Sequence, residues 1–328
     1  MGSPGVAIFP VLDARGFTLR IRSDRGDVHA VEDVSFRAHA GQVVAIVGES
    51  GAGKSVTALS LLRLVPSPPA RVVAGEILIN GRDILKLSRK QMREVRGNEV
   101  SMIFQEPMTA LNPALRVGRQ IAEPLVRHKG MGWREAERAA VALLDRVQIP
   151  DAQERAQAYP HQFSGGMRQR VMIAMALACK PRLIIADEPT TALDVTVQAQ
   201  VLSLLTELTR ESGGALLLIT HDLGVVARYA DEVNVMYAGR IVESGVAAEI
   251  YARPRHPYTR GLLASVPSLA GPVLHRLDTI PGQPPSLVDD LPGCAFAPRC
   301  SRAQARCLAE RPPLETISAA HRAACWFA

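Results

Sequence analysis

The sequence has no long apolar run. Its longest, Val171–Cys179, ends after nine residues, whereas a membrane-spanning helix needs about 18 or more. The N-terminal stretch Met1–Pro4 carries no charged region followed by an apolar core, the pattern typical of a secretory signal. We therefore expect a cytosolic chain that reaches a membrane only through a partner.

Concentrated blocks of charge are also missing. Lysine and arginine total 38 against 32 aspartates and glutamates, but only five of the basic residues are lysines and the arginines are dispersed. Segments that bind nucleic acid concentrate like charges in blocks of about five or more, so we expect no nucleic-acid partner. No internal repeat is present, and 328 residues suffice for one large α/β domain with a smaller appendage.

The segment Gly48–Ser55 fits the phosphate-loop pattern G-x-x-x-x-G-K-[ST] and follows the apolar run Val43–Val47. Glycines let successive backbone N–H groups surround a phosphate, and the positive end of the next helix points at the same anion. This order of strand, glycine-rich loop and helix predicts a nucleotide site. The alternative is a glycine-rich turn that contains a lysine by chance. Lys54 would reach the β- and γ-phosphates and Ser55 would bind Mg²⁺. The predicted contacts are Gly48, Ser50, Gly51, Gly53, Lys54, Ser55 and Val56.

Short apolar runs alternate with helical patterns along most of the chain. Leu183–Ala186 and Ala215–Thr220 read as strands on either side of a helix over Val195–Arg210, while 107–165 is mainly helical. Such alternation predicts an α/β fold with a largely parallel sheet and its ligand at the carboxyl ends of the strands. Proline becomes dense beyond Tyr251, where we place a domain boundary.

Two acids end the predicted strand Leu183–Ala186. A phosphate loop needs a carboxylate near Mg²⁺ and a group that orients the attacking water. Asp187 suits the first role and Glu188 the second, as general base. The alternative is that one of them merely caps the next helix.

A second anion-binding helix start lies at Ser164-Gly165-Gly166, before the predicted helix Gln169–Ala178. A single nucleotide has no evident need of both, unless the second serves the nucleotide of a neighbouring subunit.

Taken together, these motifs resemble the nucleotide-binding subunit of ATP-binding cassette (ABC) importers of the dipeptide and oligopeptide type. Six elements occur in the family's order: the phosphate loop, Gln105 after the strand Val100–Phe104, Ser164–Gly166, Asp187-Glu188, Ala192-Leu193-Asp194 and Thr220-His221-Asp222. The resemblance implies a phosphate-loop NTPase cassette over 1–250, with a RecA-like core, a β subdomain and a helical subdomain near 106–165. An extension over 251–328 completes the chain.

The resemblance also implies a head-to-tail dimer that sandwiches two ATP molecules. Each ATP would contact Lys54, Ser55, Gln105, Asp187, Glu188 and His221 of one subunit and Ser164, Gly165 and Gly166 of the other, with Asp194 linking the two sites. Mg²⁺ would be held by Ser55, Gln105 and Asp187. The adenine-stacking aromatic of the family has no counterpart in Leu19–Ser23, which leaves Ile21 or an arginine plane for that role.

The implied partners are two transmembrane permease subunits, a second ATPase subunit and, indirectly, an extracytoplasmic peptide-binding protein. The chain would then lie at the cytoplasmic face of the inner membrane, with a coupling surface at Gln105–Pro113. The cargo stays open between dipeptides, longer peptides, nickel and glutathione.

Four of the five cysteines fall near the C-terminus, at Cys294, Cys300, Cys307 and Cys325. Zinc sites usually include a C-x2-4-C pair, which is absent, whereas four thiolates are the complement of an iron–sulfur cube. Some peptide-importer extensions carry such a cluster. We expect a [4Fe–4S] cluster, with Zn²⁺ or unliganded thiols as alternatives, and a merely buried Cys179.

Overall fold

The computed structural model describes residues 9–190, 193–266, 279–288 and 291–328, except for the side chains of Pro107 and Met108. The strands in these ranges are β1 (Leu12–Ser23), β2 (Gly26–Ala38), β3 (Val43–Val47), β4 (Ala70–Ile79), β5 (Arg82–Asp83), β6 (Val100–Ile103), β7 (Leu183–Asp187), β8 (Ala215–Thr220), β9 (Glu232–Tyr237), β10 (Arg240–Val246), β11 (Glu315–Ser318) and β12 (His321–Ala323).

The α-helices of the same ranges are α1 (Lys54–Leu61), α2 (Arg89–Val95), α3 (Pro107–Ala110), α4 (Val117–Lys129), α5 (Trp133–Arg146), α6 (Ala152–Arg155), α7 (Gly165–Leu177), α8 (Val195–Glu211), α9 (Leu223–Tyr229), α10 (Ala247–Ala252), α11 (Pro257–Ala264) and α12 (Ala305–Ala309). None of the described helices has the length and apolar character needed to cross a membrane.

The predicted strands agree closely with the observed ones, but the helix predicted over Gln169–Ala178 begins four residues earlier, at Gly165, because Ser164 is its N-cap. Strands β3 and β8 have the predicted bounds, and β7 continues one residue further, to Asp187. Helix α1 begins at Lys54, inside the phosphate-loop motif, and ends at Leu61. The reason is that Gly53 adopts a left-handed backbone with φ of 102° and serves as the N-cap, so helical geometry begins at the next residue.

The described residues form two compact units. The first contains the described part of Met1–Leu12, together with Arg37–Val43 and Leu78–Leu218. The second contains Asp13–Phe36, Val44–Ile77 and the described part of Ile219–Ala328.

In the first unit, β7 lies between β6 and β8. Strands β6 and β7 run parallel, with Val100 opposite Leu183 and Ile103 opposite Ala186. Every residue of β7 is buried, as expected of a parallel strand covered on both faces. The helical part is held by amphipathic helices; α5 buries Ala136, Ala140 and Leu144, which are spaced four residues apart on one helix face.

In the second unit, β9 pairs in parallel with β3 and antiparallel with β10. The C-terminal extension adds β12 to β10 and β11 to β12, both antiparallel. The proline-rich sequence gave no indication of these strands. Tyr237, Tyr258 and Phe296 pack in one apolar core with residues of β3, β9 and α10.

Candidate functional site

The phosphate loop begins where β3 ends and has a shape that only glycine permits at two positions. A Cβ on Gly48 would lie 2.2 Å from the Met236 carbonyl oxygen, and a Cβ on Gly53 would lie 2.4 Å from the Ala30 carbonyl oxygen. Neither clash can be relieved by a side-chain rotation because both neighbours are backbone atoms. Ser50 and Gly51 are exposed at the tip of the loop.

Lys54 is buried, and its Nζ donates hydrogen bonds to the carbonyl oxygens of Gly48, at 2.8 Å, and Glu49, at 3.0 Å. The lysine therefore bridges its own loop. Ser55 and Val56 follow in the first turn of α1 and are half-buried. The first-turn N–H groups of a helix have no partner within the helix, and they favour an anion.

Gln105 and Glu188 are brought together in the first unit. Because β6 and β7 are parallel, the residues that follow them emerge at the same edge. The Nε2 of Gln105 donates to Glu188 Oε2 at 3.0 Å. Glu188 has a left-handed backbone with φ of 45°, a conformation that non-glycine residues adopt at a cost and that is concentrated at functional sites. Asp187 is the buried last residue of β7.

The signature Ser164-Gly165-Gly166 lies at the start of α7. Ser164 is the N-cap, and its Oγ accepts a hydrogen bond from the Met167 N–H at 3.3 Å. Ser164 and Gly165 are exposed, whereas a Cβ on Gly166 would lie 2.9 Å from Val197 Cγ1. Gly166 therefore also allows α7 to pack closely against α8.

The remaining predicted residues lie at helix and strand ends. Asp194 is exposed and caps α8, where it accepts a hydrogen bond from the Val197 N–H at 2.9 Å. His221 is exposed directly after β8 in the second unit. Ala192 lies outside the described residues.

Sequence reasoning missed the surroundings of Glu49, the second residue of the phosphate loop. Its backbone N–H donates to Tyr258 Oη at 2.7 Å, and its carboxylate forms an ion pair with Arg299. These partners lie 209 and 250 residues further along the chain. No spacing or motif indicates that they meet.

Cys294, Cys300, Cys307 and Cys325 all line one small cavity of about 20 Å³ in the second unit. Burial raises the pKa of the Cys294 and Cys325 thiols, and neighbouring cysteines of the same group contribute to the rise. No three His, Cys, Asp or Glu side chains in the described ranges are arranged as ligands of one metal ion. The four thiols thus lie around one cavity, but they are not arranged as a metal-ligand set.

Comparison with known proteins identifies the family of the chain. Residues 31–191 match the model of the ABC transporter family, and residues 242–307 match that of the oligopeptide/dipeptide transporter C-terminal region. The chain is 52% identical over 326 residues to a protein of Brucella melitensis biotype 1 named as a peptide import ATP-binding protein, covering 96% of each chain. It is 50% identical over 316 residues to the oligopeptide transport ATP-binding protein of Salmonella typhimurium, covering 96% of this chain and 93% of that one.

One solved structure has a fold similar to the cassette part of this chain. The dimeric ATP-binding cassette MJ0796, in a post-hydrolysis state bound to ADP and Pi, matches with a TM-score of 0.64 and 26% identity, over 72% of this chain and 98% of that one. The chain belongs to the ABC transporter family, as an ATP-binding subunit with an oligopeptide/dipeptide-type C-terminal region. It is an ATPase of that family, for which ATP and Mg²⁺ are the expected substrate and cofactor.

Proposed function

We propose that this chain hydrolyses ATP to energise the import of peptides through partner membrane subunits. The observation that carries the ATPase part is the hydrogen bond between Gln105 and a Glu188 in left-handed conformation, directly after β7. The peptide part is supported by the match of residues 242–307 to the oligopeptide/dipeptide transporter region and by the names of the relatives. We assign the ATPase cassette to 1–250, with a helical subdomain near 106–165, and the extension to 251–328.

The roles of the residues follow from their chemistry. Lys54 gives up its hydrogen bonds to the loop carbonyls and binds the β- and γ-phosphates instead. Backbone N–H groups of the loop and of α1 (Ser50–Val56) surround the phosphates. Ser55, Gln105 and Asp187 supply oxygen ligands suited to Mg²⁺, which when bound offsets phosphate charge. Glu188 accepts the proton of the attacking water, Gln105 holds the Glu188 carboxylate, and His221 donates to the γ-phosphate.

The second half of each ATP site comes from a neighbouring subunit in this proposal. Ser164 and Gly165 are exposed at the N-terminus of α7, a helix of 13 residues, and such a terminus favours an anion. A single nucleotide has no evident need of a second anion-binding helix start, so the signature would serve the partner's ATP, with Asp194 linking the sites. The related cassette MJ0796 is dimeric.

The wider assembly would contain two permease subunits, a second ATPase subunit and an external peptide-binding protein. We place the chain at the cytoplasmic face of the inner membrane as a peripheral subunit. The segment Gln105–Pro113 is the proposed docking surface for a permease helix. The segment begins at Gln105, which holds the Glu188 carboxylate. A permease helix docked there would therefore act directly on the proposed hydrolytic group.

The four gathered cysteines are proposed to hold a [4Fe–4S] cluster. Four thiols around one cavity match the cluster in ligand type and number, with Zn²⁺ as the competing occupant. When bound, the group would fasten the extension by cross-linking residues that lie up to 31 positions apart (Cys294 to Cys325). Nothing in the ATPase chemistry requires electron transfer.

The test of transport uses the complex purified with its permease subunits and reconstituted in vesicles. We expect ATP-dependent uptake of labelled di- or oligopeptides and none with ADP. Nickel ions and glutathione are offered in parallel as alternative cargoes. ATP-dependent uptake of either one without peptide uptake would contradict the proposed cargo class while leaving the ATPase assignment intact.

A further inference from the structure

The phosphate loop carries a carboxylate of its own, and the C-terminal extension neutralises it. Arg299 Nη1 lies 2.6 Å from Glu49 Oε2, and Arg299 Nη2 lies 2.9 Å from Glu49 Oε1. This is a bidentate ion pair, the geometry that gives guanidinium–carboxylate contacts their strength and direction. The Arg299 side chain is only 4% exposed and that of Glu49 is 28% exposed, so water screens the pair weakly.

Every polar group of Glu49 has a partner. Its N–H donates to Tyr258 Oη, its carbonyl oxygen accepts from Lys54 Nζ at 3.0 Å and from the Ala52 N–H at 3.2 Å, and its carboxylate binds Arg299. The second residue of the loop is thus held on one side by the phosphate-binding lysine and on the other by the extension.

The two extension residues are themselves rigidly held. Arg299 Nε donates to the Pro281 carbonyl oxygen at 2.8 Å, and Nη1 also donates to Tyr237 Oη at 3.3 Å. Tyr258 is fully buried, with its ring centroid 4.5 Å from that of Tyr237 and 5.4 Å from that of Phe296. Neither side chain can follow a displaced loop without disrupting this core.

We propose that Arg299 and Tyr258 are positioning residues for ATP binding, which act through Glu49 to hold the phosphate loop in shape and to neutralise its carboxylate. An uncompensated carboxylate in a phosphate-binding loop repels the triphosphate, and a loop ordered in advance does not lose that conformational freedom on binding. The affinity for ATP therefore depends on the C-terminal extension of the same chain. The inference rests on the placement of the ATP phosphates at 48–55.

The experiment measures the affinity of the full-length chain for Mg·ATP by equilibrium dialysis, with the melting temperature recorded in parallel. Arg299→Gln leaves Glu49 unpaired and is expected to raise Kd by about 10-fold. Tyr258→Phe removes the acceptor of the Glu49 N–H and is expected to raise Kd by about 5-fold. Arg306→Gln is the matched control, because this exposed extension arginine pairs with Glu310 rather than with the loop.

A double variant that restores charge neutrality distinguishes an effect of Arg299 on ATP binding from an effect on the stability of the fold alone. Adding Glu49→Gln to Arg299→Gln removes the uncompensated charge, so Kd should return to within about 3-fold of the wild-type value while the melting temperature stays low. In the reconstituted transporter, Arg299→Gln should raise KM for ATP with kcat within about 2-fold. If Arg299→Gln does not fold, Arg299→Lys, which keeps the charge but loses the bidentate contact, takes its place with a smaller expected rise.

Two results would overturn the inference. One is a Kd for Arg299→Gln and Tyr258→Phe equal to that of Arg306→Gln. The other is a double variant that binds ATP as weakly as Arg299→Gln alone. A wild-type chain that binds no Mg·ATP would instead refute the nucleotide site itself, so the two failures are distinguishable.

Discussion

At the scale of single residues, Glu188 is constrained in both backbone and side chain. Its φ is positive, and its carboxylate is held by Gln105. In its proposed role as general base, Glu188 would benefit from such restriction, because misplacement of the reacting atoms by about 1 Å can cost ~10²-fold in rate.

Glu188→Gln should lower steady-state ATP hydrolysis by the assembled complex by about 10²- to 10⁴-fold, the usual effect of losing a general base. Size and hydrogen bonding are kept, so ATP should still bind. Glu207→Gln, on an exposed face of α8, is the control. Hydrolysis within a few-fold of wild type would show that another group accepts the proton.

Lys54 and Ser164 allow the two halves of the proposed sandwich to be separated. Lys54→Ala removes the cation of the phosphate loop and should weaken ATP binding by the isolated chain at least 10-fold. Ser164→Arg should leave that binding nearly unchanged but prevent ATP-driven dimerisation, measured by size-exclusion chromatography. Equal loss of ATP affinity in the two variants would mean that the signature contacts its own chain's nucleotide.

At the scale of elements, the N-cap residue of α11 is His256, which is kept neutral. Burial lowers the pKa of His256 from 6.5 to about 4. Its Nδ1 accepts the Tyr258 N–H at 3.1 Å, which caps the helix and requires an unprotonated nitrogen. Protonation would therefore remove the cap at the N-terminal end of the element that carries Tyr258.

The depressed pKa fixes the direction of the pH dependence. Well above pH 6.5 the histidine is neutral in both the folded and the unfolded state, and its contribution to stability is complete. As the pH falls from about 6.5 towards 4, the unfolded chain binds a proton first and stability is lost, by about 1 kcal/mol at pH 5.5.

His256→Asn keeps a cap acceptor but does not titrate. Urea unfolding at pH 7.5 and pH 5.5 should show a smaller loss of stability for the variant than for the wild type, by about 1 kcal/mol. The other histidines are common to both proteins and cancel in the difference. An identical pH dependence would indicate that His256 is not buried as a neutral group.

At the scale of the whole molecule, the C-terminal extension belongs to the second unit in three ways. It supplies β11 and β12, it contributes Tyr258 and Phe296 to the apolar core, and it supplies Arg299 to the phosphate loop. A small, proline-rich segment gains little from burial alone, and a metal group that joins its cysteines would offset the entropy of ordering it.

Anaerobically purified protein should be brown, with broad absorbance near 400 nm and about four irons per chain. Cys325→Ser should bleach it and make the extension sensitive to protease. Cys179→Ala, which alters the buried cysteine of the first unit, should keep the colour. Colourless protein with about one zinc per chain would exclude the cluster and retain only the fastening role.

The sequence alone indicated the parts of the proposed site that depend on local geometry. The order of strand, glycine-rich loop and helix indicated Gly48–Val56, because glycine conformation and helix-terminus charge act within a few residues. Gln105 and Glu188 were each selected as residues that follow a strand. Only the parallel pairing of β6 with β7 brought them within hydrogen-bonding distance.

The tertiary structure decided the contacts whose partners are far apart in the chain. Glu49 could be read only as a variable loop position, and Arg299 as one of many dispersed arginines. Their meeting depends on β9, on α11 and on the core around Tyr237 and Phe296, and none of these is encoded in the spacing of the two residues. Local patterns specify elements through short-range sterics and periodicity, whereas such a pair exists only after the elements have packed.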